Sequence, residues 1–160
     1  MIPMIIRVLF VFAFCFASAL AQEIEVKGAV TNPLKVTPEV LAKMPRAAVS
    51  ATIHGVTNKF EGVWLHDVLK QAGVPSGKNL KGKALTSCLL VKASDGYEVV
   101  FSLAELDPVF LDNQVLLADT IDGKPLGGTH GRFRIIIPKE TMPSRSVRMV
   151  TSLEVVQSSK

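Results

Sequence analysis

Residues 127–148 read GGTHGRFRIIIPKETMPSRSVR. At their centre Ile135-Ile136-Ile137 is an apolar run that gains by leaving water. Around it stand Arg132, Arg134, Lys139, Arg145 and Arg148, five permanent cations, together with His130, and Glu140 is the one acid that opposes them. Charged side chains enter a protein interior only when paired. A fold for this chain must therefore bury the strand and still give its cations solvent, a carboxylate or a bound anion. Side chains alternate along a strand. Alternation puts Phe133, Ile135 and Ile137 on a buried row, and Arg132, Arg134 and Ile136 together on the opposite, partly polar face.

The N-terminus sets the compartment. MIPMIIRVLFVFAFCFASALAQ has Arg7 as a short positive region, an apolar run over 8–16 and an Ala19-Leu20-Ala21 cleavage box before Gln22. This pattern predicts a secretory signal peptide over residues 1–21 and a bacterial periplasmic location. The apolar run is too short to span a bilayer comfortably. Of the 18 lysines and arginines Arg7 leaves with the leader, so 17 face 14 acids, a net of +3. That balance does not imply a nucleic-acid partner. Cys15 leaves as well, and Cys88 remains alone, which excludes an internal disulfide. Cys88 is expected to be a buried small hydrophobe. Residues 22–160 form one domain, large enough to bury a core.

Strand signals dominate the chain, and two or three short helices interrupt them. Ile24 to Val30 alternates as a half-buried strand. Thr37-Pro38-Glu39 opens a short helix with a Thr cap and Pro in the first turn, and Met44-Pro45 closes it. Ala48 to His54 and Phe60 to Gly62 suggest a hairpin around Gly55-Val56-Thr57-Asn58. In LHDVLKQAG, Leu65, Val68, Leu69 and Ala72 fall at helical spacing, and Gly73 ends the helix. Leu85 to Ala93 and Glu98 to Ser102 are strands around the turn Ser94-Asp95-Gly96-Tyr97. Ser102 caps a short helix through Leu106. Further strands are predicted over 115–120, 133–137 and 149–156, with a turn at Asp122-Gly123-Lys124-Pro125. The class is α+β with mixed sheet.

The segments FEGVWLHDVLKQAGV, ASDGYEVVFSLAEL, LLADTIDGKPL, HGRFRIIIP and SVRMVTSLEVV, in this order, resemble the molybdopterin-binding domain of the sulfite-oxidase family. The resemblance covers about residues 26–156. Each segment alone is unspecific, and the order carries the likeness. It implies the sulfite-oxidase fold, with a pterin cofactor in a groove. In catalytic members a cysteine thiolate in the strand before the G-x-x-L helix binds molybdenum. Here that stretch is Ser50-Ala51-Thr52-Ile53-His54-Gly55, without a cysteine. Neither Thr52 nor His54 supplies a soft sulfur ligand. The chain is also similar to small exported pterin-binding proteins of proteobacteria that lack this cysteine. Those are thought to sense pterins and to act on a membrane-bound cyclic-di-GMP enzyme through its periplasmic domain. The likeness implies a non-catalytic pterin sensor. The alternative is a molybdenum-cofactor-dependent oxidoreductase, or an accessory subunit of one.

A pterin is a flat bicycle edged with donors and acceptors, so its site needs a stacking surface, an acceptor and donors. Trp64 offers a stacking ring, and Tyr97 a second aromatic. Asp95 can accept from an amino-pyrimidine edge, although Asp-Gly is equally a hairpin-turn signal. The resemblance places His130 and the following arginine at the cofactor, so Arg132 or Arg134 would hold a phosphate or a pterin carbonyl. It also places Ser144 and Arg145 on a loop that closes the pocket. No G-x-S-x-G, phosphate-binding G-x-x-x-x-G-K or paired-histidine metal motif occurs.

Overall fold

The computed structural model describes residues 22–112 and 114–157. The expected signal peptide lies outside the described residues. Two sheets make the frame. The first orders its strands as β2 (Leu34–Val36), β1 (Ile24–Gly28), β10 (Val150–Gln157), β5 (Ser87–Ala93) and β6 (Glu98–Ser102). In it β1 and β10 run parallel, and the other neighbours are antiparallel. The second orders β3 (Ala47–Ile53), β4 (Val56–Trp64) and β7 (Leu116–Ile121). The short strands β8 (Lys124–Pro125) and β9 (Arg134–Ile136) pair with opposite ends of β7. Helices α1 (Pro38–Ala42), α2 (Leu65–Gln71) and α3 (Leu103–Leu106) fill the connections.

The helix starts obey their local chemistry. Thr37 accepts the Val40 amide at α1. At α3, Ser102 accepts the Glu105 amide while Glu105 accepts the Ser102 amide, a complete capping box. Such a cap stabilises its helix by about 1 kcal/mol.

The expected hairpin is longer than its sequence signal. His54 (φ 50°) and Gly55 (φ 80°) make the turn, so Val56, Thr57 and Asn58 belong to β4 and pair with Ile53, Thr52 and Ala51. Positive φ at both central residues matches the twist of a two-residue hairpin. Cys88 is half-buried rather than buried, because it lies on the outward row of β5 beside Ser102 and Val156.

One apolar cluster joins the two sheets. It includes Val26, Leu89, Val91, Phe101 and Leu153 from the first sheet and Val63, Leu117 and Ile135 from the second, with Phe133 and Ile137 flanking β9. A smaller cluster covers the other face of the second sheet, built from Ala51, Phe60, Leu116, Ala118, Leu126 and Ile136. Strand β9 is therefore buried on both faces. Phe133, Ile135 and Ile137 form the buried row as expected, but the opposite face of β9, with Arg134, is not a solvated edge. Arg134 retains 5 % exposure and lies beside an apolar layer.

Candidate functional site

The second cluster leaves part of the sheet uncovered, and a cleft of about 530 Å³ opens there. That size suits a small ligand. Its floor is apolar, with Ile53, Phe60 and Ile121. Its walls come from three places. The β3–β4 turn supplies His54 and Val56. The β5–β6 turn supplies Asp95 and Tyr97. The third wall is His130 with the 143–148 segment.

Two backbone contacts explain why distant basic residues meet. Gly131 has φ +67°, and a Cβ there would lie 2.5 Å from the Met149 Cα. The Met149 amide donates to the His130 carbonyl at 2.9 Å, and the Ile135 amide donates to the Val147 carbonyl at 2.8 Å. The segment before β10 is thus laid along residues 130–135, which brings Arg148 to the same cleft as His130 and Arg134.

Arg134 sets the electrostatics. Its Nη1 lies 3.0 Å from His130 Nδ1, and its Cζ stands 5.8 Å from the Phe60 ring centroid. Its Nε is buried and has no hydrogen-bond partner among the described residues. Neither Arg134 nor Arg148 enters an ion pair among those residues. Burial, and then Arg148, push the Arg134 guanidinium below its ordinary pKa. Burial, then Arg134, then Arg148 hold the His130 imidazole below its usual range. The one carboxylate of the cleft is Asp95, and its Oδ1 accepts the Tyr97 amide at 3.0 Å to make the turn. The cleft is an apolar floor under an under-compensated positive wall. Wanting an acceptor, it is suited to an anion on a flat ring.

Of the residues expected at the pocket, Asp95, Tyr97, His130, Arg134 and Ser144 line this cleft, and Trp64, Arg132 and Arg145 lie outside it. Trp64 precedes α2 and packs into the apolar layer under the cleft, so Phe60 and Tyr97 are the rings that face the cavity. Arg132 sits between Gly131 and the start of β9, and the turn breaks the alternation that was to align it with Arg134. It is exposed, its amide donates to Gln22 Oε1, and it borders a separate depression with Pro38, Arg46 and Asp119. Arg145 is neutralised: Glu140 binds its Nε and Nη2, Glu105 binds Nη1, and the guanidinium stacks on Phe101. Arg148, one of the clustered cations and part of the pocket-closing stretch, was not singled out as a site residue, and it lines the cleft. His54 was considered only as a replacement for a metal ligand. Phe60 carried no sequence signal beyond that of a strand residue.

The sequence matches the family model described as "oxidoreductase molybdopterin binding domain" over residues 17–160. The chain belongs to that family. A solved structure with the same architecture is the sulfane dehydrogenase SoxCD from Paracoccus pantotrophus, at TM-score 0.67 and 21 % identity, covering 85 % of this chain and 38 % of that one. This chain thus spans well under half of that protein, and the likeness establishes the α+β sulfite-oxidase-type fold. No curated protein sequence matches significantly.

The cleft fits the organic part of the cofactor that the family name implies. The unpaired Arg134 and Arg148 suit its anionic group, and the exposed Tyr97 offers a face to its ring. The donor set does not suit molybdenum in the same way. No cysteine is among the described residues that line the cleft, so the lining supplies no soft thiolate. Cys88 lies five residues before Ala93, at the far end of β5 from the Asp95 turn, about 16 Å along the strand. It does not line the cleft.

Proposed function

We propose that this chain is an exported periplasmic pterin-binding protein that performs no redox step itself. It acts as a sensor, reporting occupancy of its cleft to the periplasmic domain of a membrane-bound enzyme of the cyclic-di-GMP type. The observation that carries the binding part is Arg134, a cleft-lining cation removed from water without a carboxylate and with a buried Nε that has no hydrogen-bond partner among the described residues. Such an arrangement costs several kcal/mol unless a ligand supplies the counter-charge. The lack of a cysteine in Ser50–Gly55 supports the non-catalytic part, since the catalytic members that the chain resembles bind molybdenum through a thiolate there. The leader-like N-terminal segment supports the exported location, and the likeness to small pterin-binding proteins without the cysteine supports the sensor role.

In this reading Arg134, Arg148 and His130 hold the anionic or carbonyl side of the pterin, Tyr97 flanks the ring over the apolar floor, and Asp95 Oδ2 accepts from its amino edge. Ser144 contributes to the wall. The family description and the oxidoreductase architecture favour one other reading, a molybdenum-dependent oxidoreductase or its accessory subunit.

One sample separates the two. Protein isolated from the periplasm of its native host is denatured, its released pterin is identified by chromatography with fluorescence, and its molybdenum is measured by elemental analysis. Pterin without molybdenum is the expected result. Near-stoichiometric molybdenum would establish the oxidoreductase reading instead. Absence of pterin, with no uptake when pterins are titrated in, would sink both.

A further inference from the structure

We infer that the cleft takes up a proton together with the doubly charged anionic group of its ligand, and that His130 is where the proton lands. The inference rests on the pterin-binding reading of the same cleft and adds a pH dependence to it. Its basis is the contact between Arg134 Nη1 and His130 Nδ1 at 3.0 Å. A guanidinium has only N–H donors. Nδ1 must then present its lone pair, so the free protein holds a neutral imidazole with its hydrogen on Nε2. An imidazolium would set N–H against N–H, and the contact would have to open.

The backbone that carries the ring is fixed. The His130 amide donates to the Gly127 carbonyl, its carbonyl accepts from Met149, and the backbone of Gly131 presses on Met149. The charged groups facing the ring are Arg134 from β9 and Arg148 from the segment before β10. Asp95 and His54 line the same cleft from the two hairpin turns, and Asp95 already accepts the Tyr97 amide. Burial and the two arginines oppose a charge on the ring while the cleft lacks an anion, in keeping with the lowered pKa of His130.

An entering dianion reverses each of these influences. It offers oxygens to the Arg134 guanidinium and draws away the Nη1 that now donates one of its hydrogens to His130. Released from Arg134, Nδ1 binds one proton from solvent, and the imidazolium becomes a further donor to the anion. No covalent bond is made or broken, and the balance is one anion and one proton taken up together. A monoanion such as a carboxylate offsets less of the positive wall and draws the proton less strongly.

The test is calorimetric titration with an oxidised pterin whose side chain ends in a phosphate monoester, and with its dephosphorylated counterpart, in buffers of different ionisation enthalpy. Uptake approaching one proton per phosphorylated pterin is expected on the alkaline side of neutrality, and less with the dephosphorylated pterin. The ligand's own second ionisation, near pH 6, acts in the opposite sense, so His130→Gln serves as the reference. Relative to that variant, native affinity should fall about tenfold per pH unit across the window in which His130 takes up its proton on binding. Equal proton uptake in His130→Gln, or none in the native protein, would overturn the inference. Ring-nitrogen chemical shifts give a readout that needs no stable variant: the free protein must show the Nε2–H tautomer, and saturation must convert it to imidazolium. Binding of neither pterin would fail the pterin reading itself. The same titration with inorganic phosphate then decides the present point, because phosphate uptake with a proton supports it, and phosphate binding without one, or no binding, overturns it.

Discussion

Arg134 and Arg145 stand on the same late stretch of chain, and each lies over a phenylalanine, with Cζ 5.8 Å from the Phe60 centroid and 4.9 Å from the Phe101 centroid. Their surroundings separate them. Arg145 is held by two carboxylates, and its hydrogen bonds to Glu140 and then Glu105 raise its pKa despite some burial. Arg134 is the more deeply buried, faces a second arginine and has its pKa lowered. A charge whose counter-charges belong to the fold is part of the scaffold. A charge that the fold isolates is left for something the fold does not contain. In this segment the acids decide which arginine is which, and Glu105 reaches Arg145 from a different element.

The largest effect should come from removing the isolated charge. Arg134→Met keeps an unbranched apolar stem against Phe60 and deletes the guanidinium. Affinity for a phosphorylated pterin, followed by pterin fluorescence, should fall about 100-fold, corresponding to the loss of one or two charge-assisted hydrogen bonds of ~1.5–3 kcal/mol each. The melting temperature of the ligand-free protein should stay level or rise, because no ion pair is lost and a desolvated cation is gone. A large drop in melting temperature instead would mean that Arg134 is structural and that the comparison fails.

The same contrast explains what the sequence disclosed. The segment's density of cations, its buried isoleucines and the loops around Asp95 and Ser144 were legible, because they follow from alternation and turn chemistry. Strand Glu98–Ser102 and the Ser102 cap fall where the residues predict them. Which cation enters the cleft was not legible. That depends on the Gly131 turn, which ends the alternation before Arg132, and on the contact with Met149, which carries Arg148 in. The pairing of Arg145 with Glu105 spans 40 residues, and no local pattern encodes it. Trp64 lies outside the cleft for a related reason: composition marks an aromatic, but only the packing of α2 and β4 shows which way it is buried.

A second, smaller effect tests the scaffold side. Arg145→Met should lower stability by about 1 kcal/mol, a value kept modest because the ion pairs are partly exposed and screened by solvent. Ligand affinity should change by less than about threefold, since a loss of ~0.6 kcal/mol or less is all that an outlying charge is expected to carry. Glu105→Gln should reproduce much of the stability loss, as it weakens the pair with Arg145 and the cap of α3 together. Urea unfolding beside pterin titration reads both quantities. A loss of affinity in Arg145→Met as large as that in Arg134→Met would show that the ion pairs do not withdraw Arg145 from binding.

The smallest effect should come from Tyr97, which touches both regions. Its ring lines the cleft, and its hydroxyl donates to the Ser144 carbonyl at 2.9 Å, inside the turn Pro143–Arg145 that carries Arg145 on its other side. Tyr97→Phe retains the ring and removes that tie. The carbonyl is near water and can be resolvated, so the stability loss should be about 0.5 kcal/mol, at the low end for a hydrogen bond. Because the turn is also a wall of the cleft, affinity should weaken by roughly twofold to threefold, again ~0.5 kcal/mol, through a looser wall rather than a lost ligand contact. Combining Tyr97→Phe with Arg145→Met then tells whether the wall and the ion pairs act as one unit. Additive stability losses would make them independent, and a double variant no worse than Arg145→Met alone would show that the hydroxyl matters only while Glu140 and Glu105 hold the turn in place.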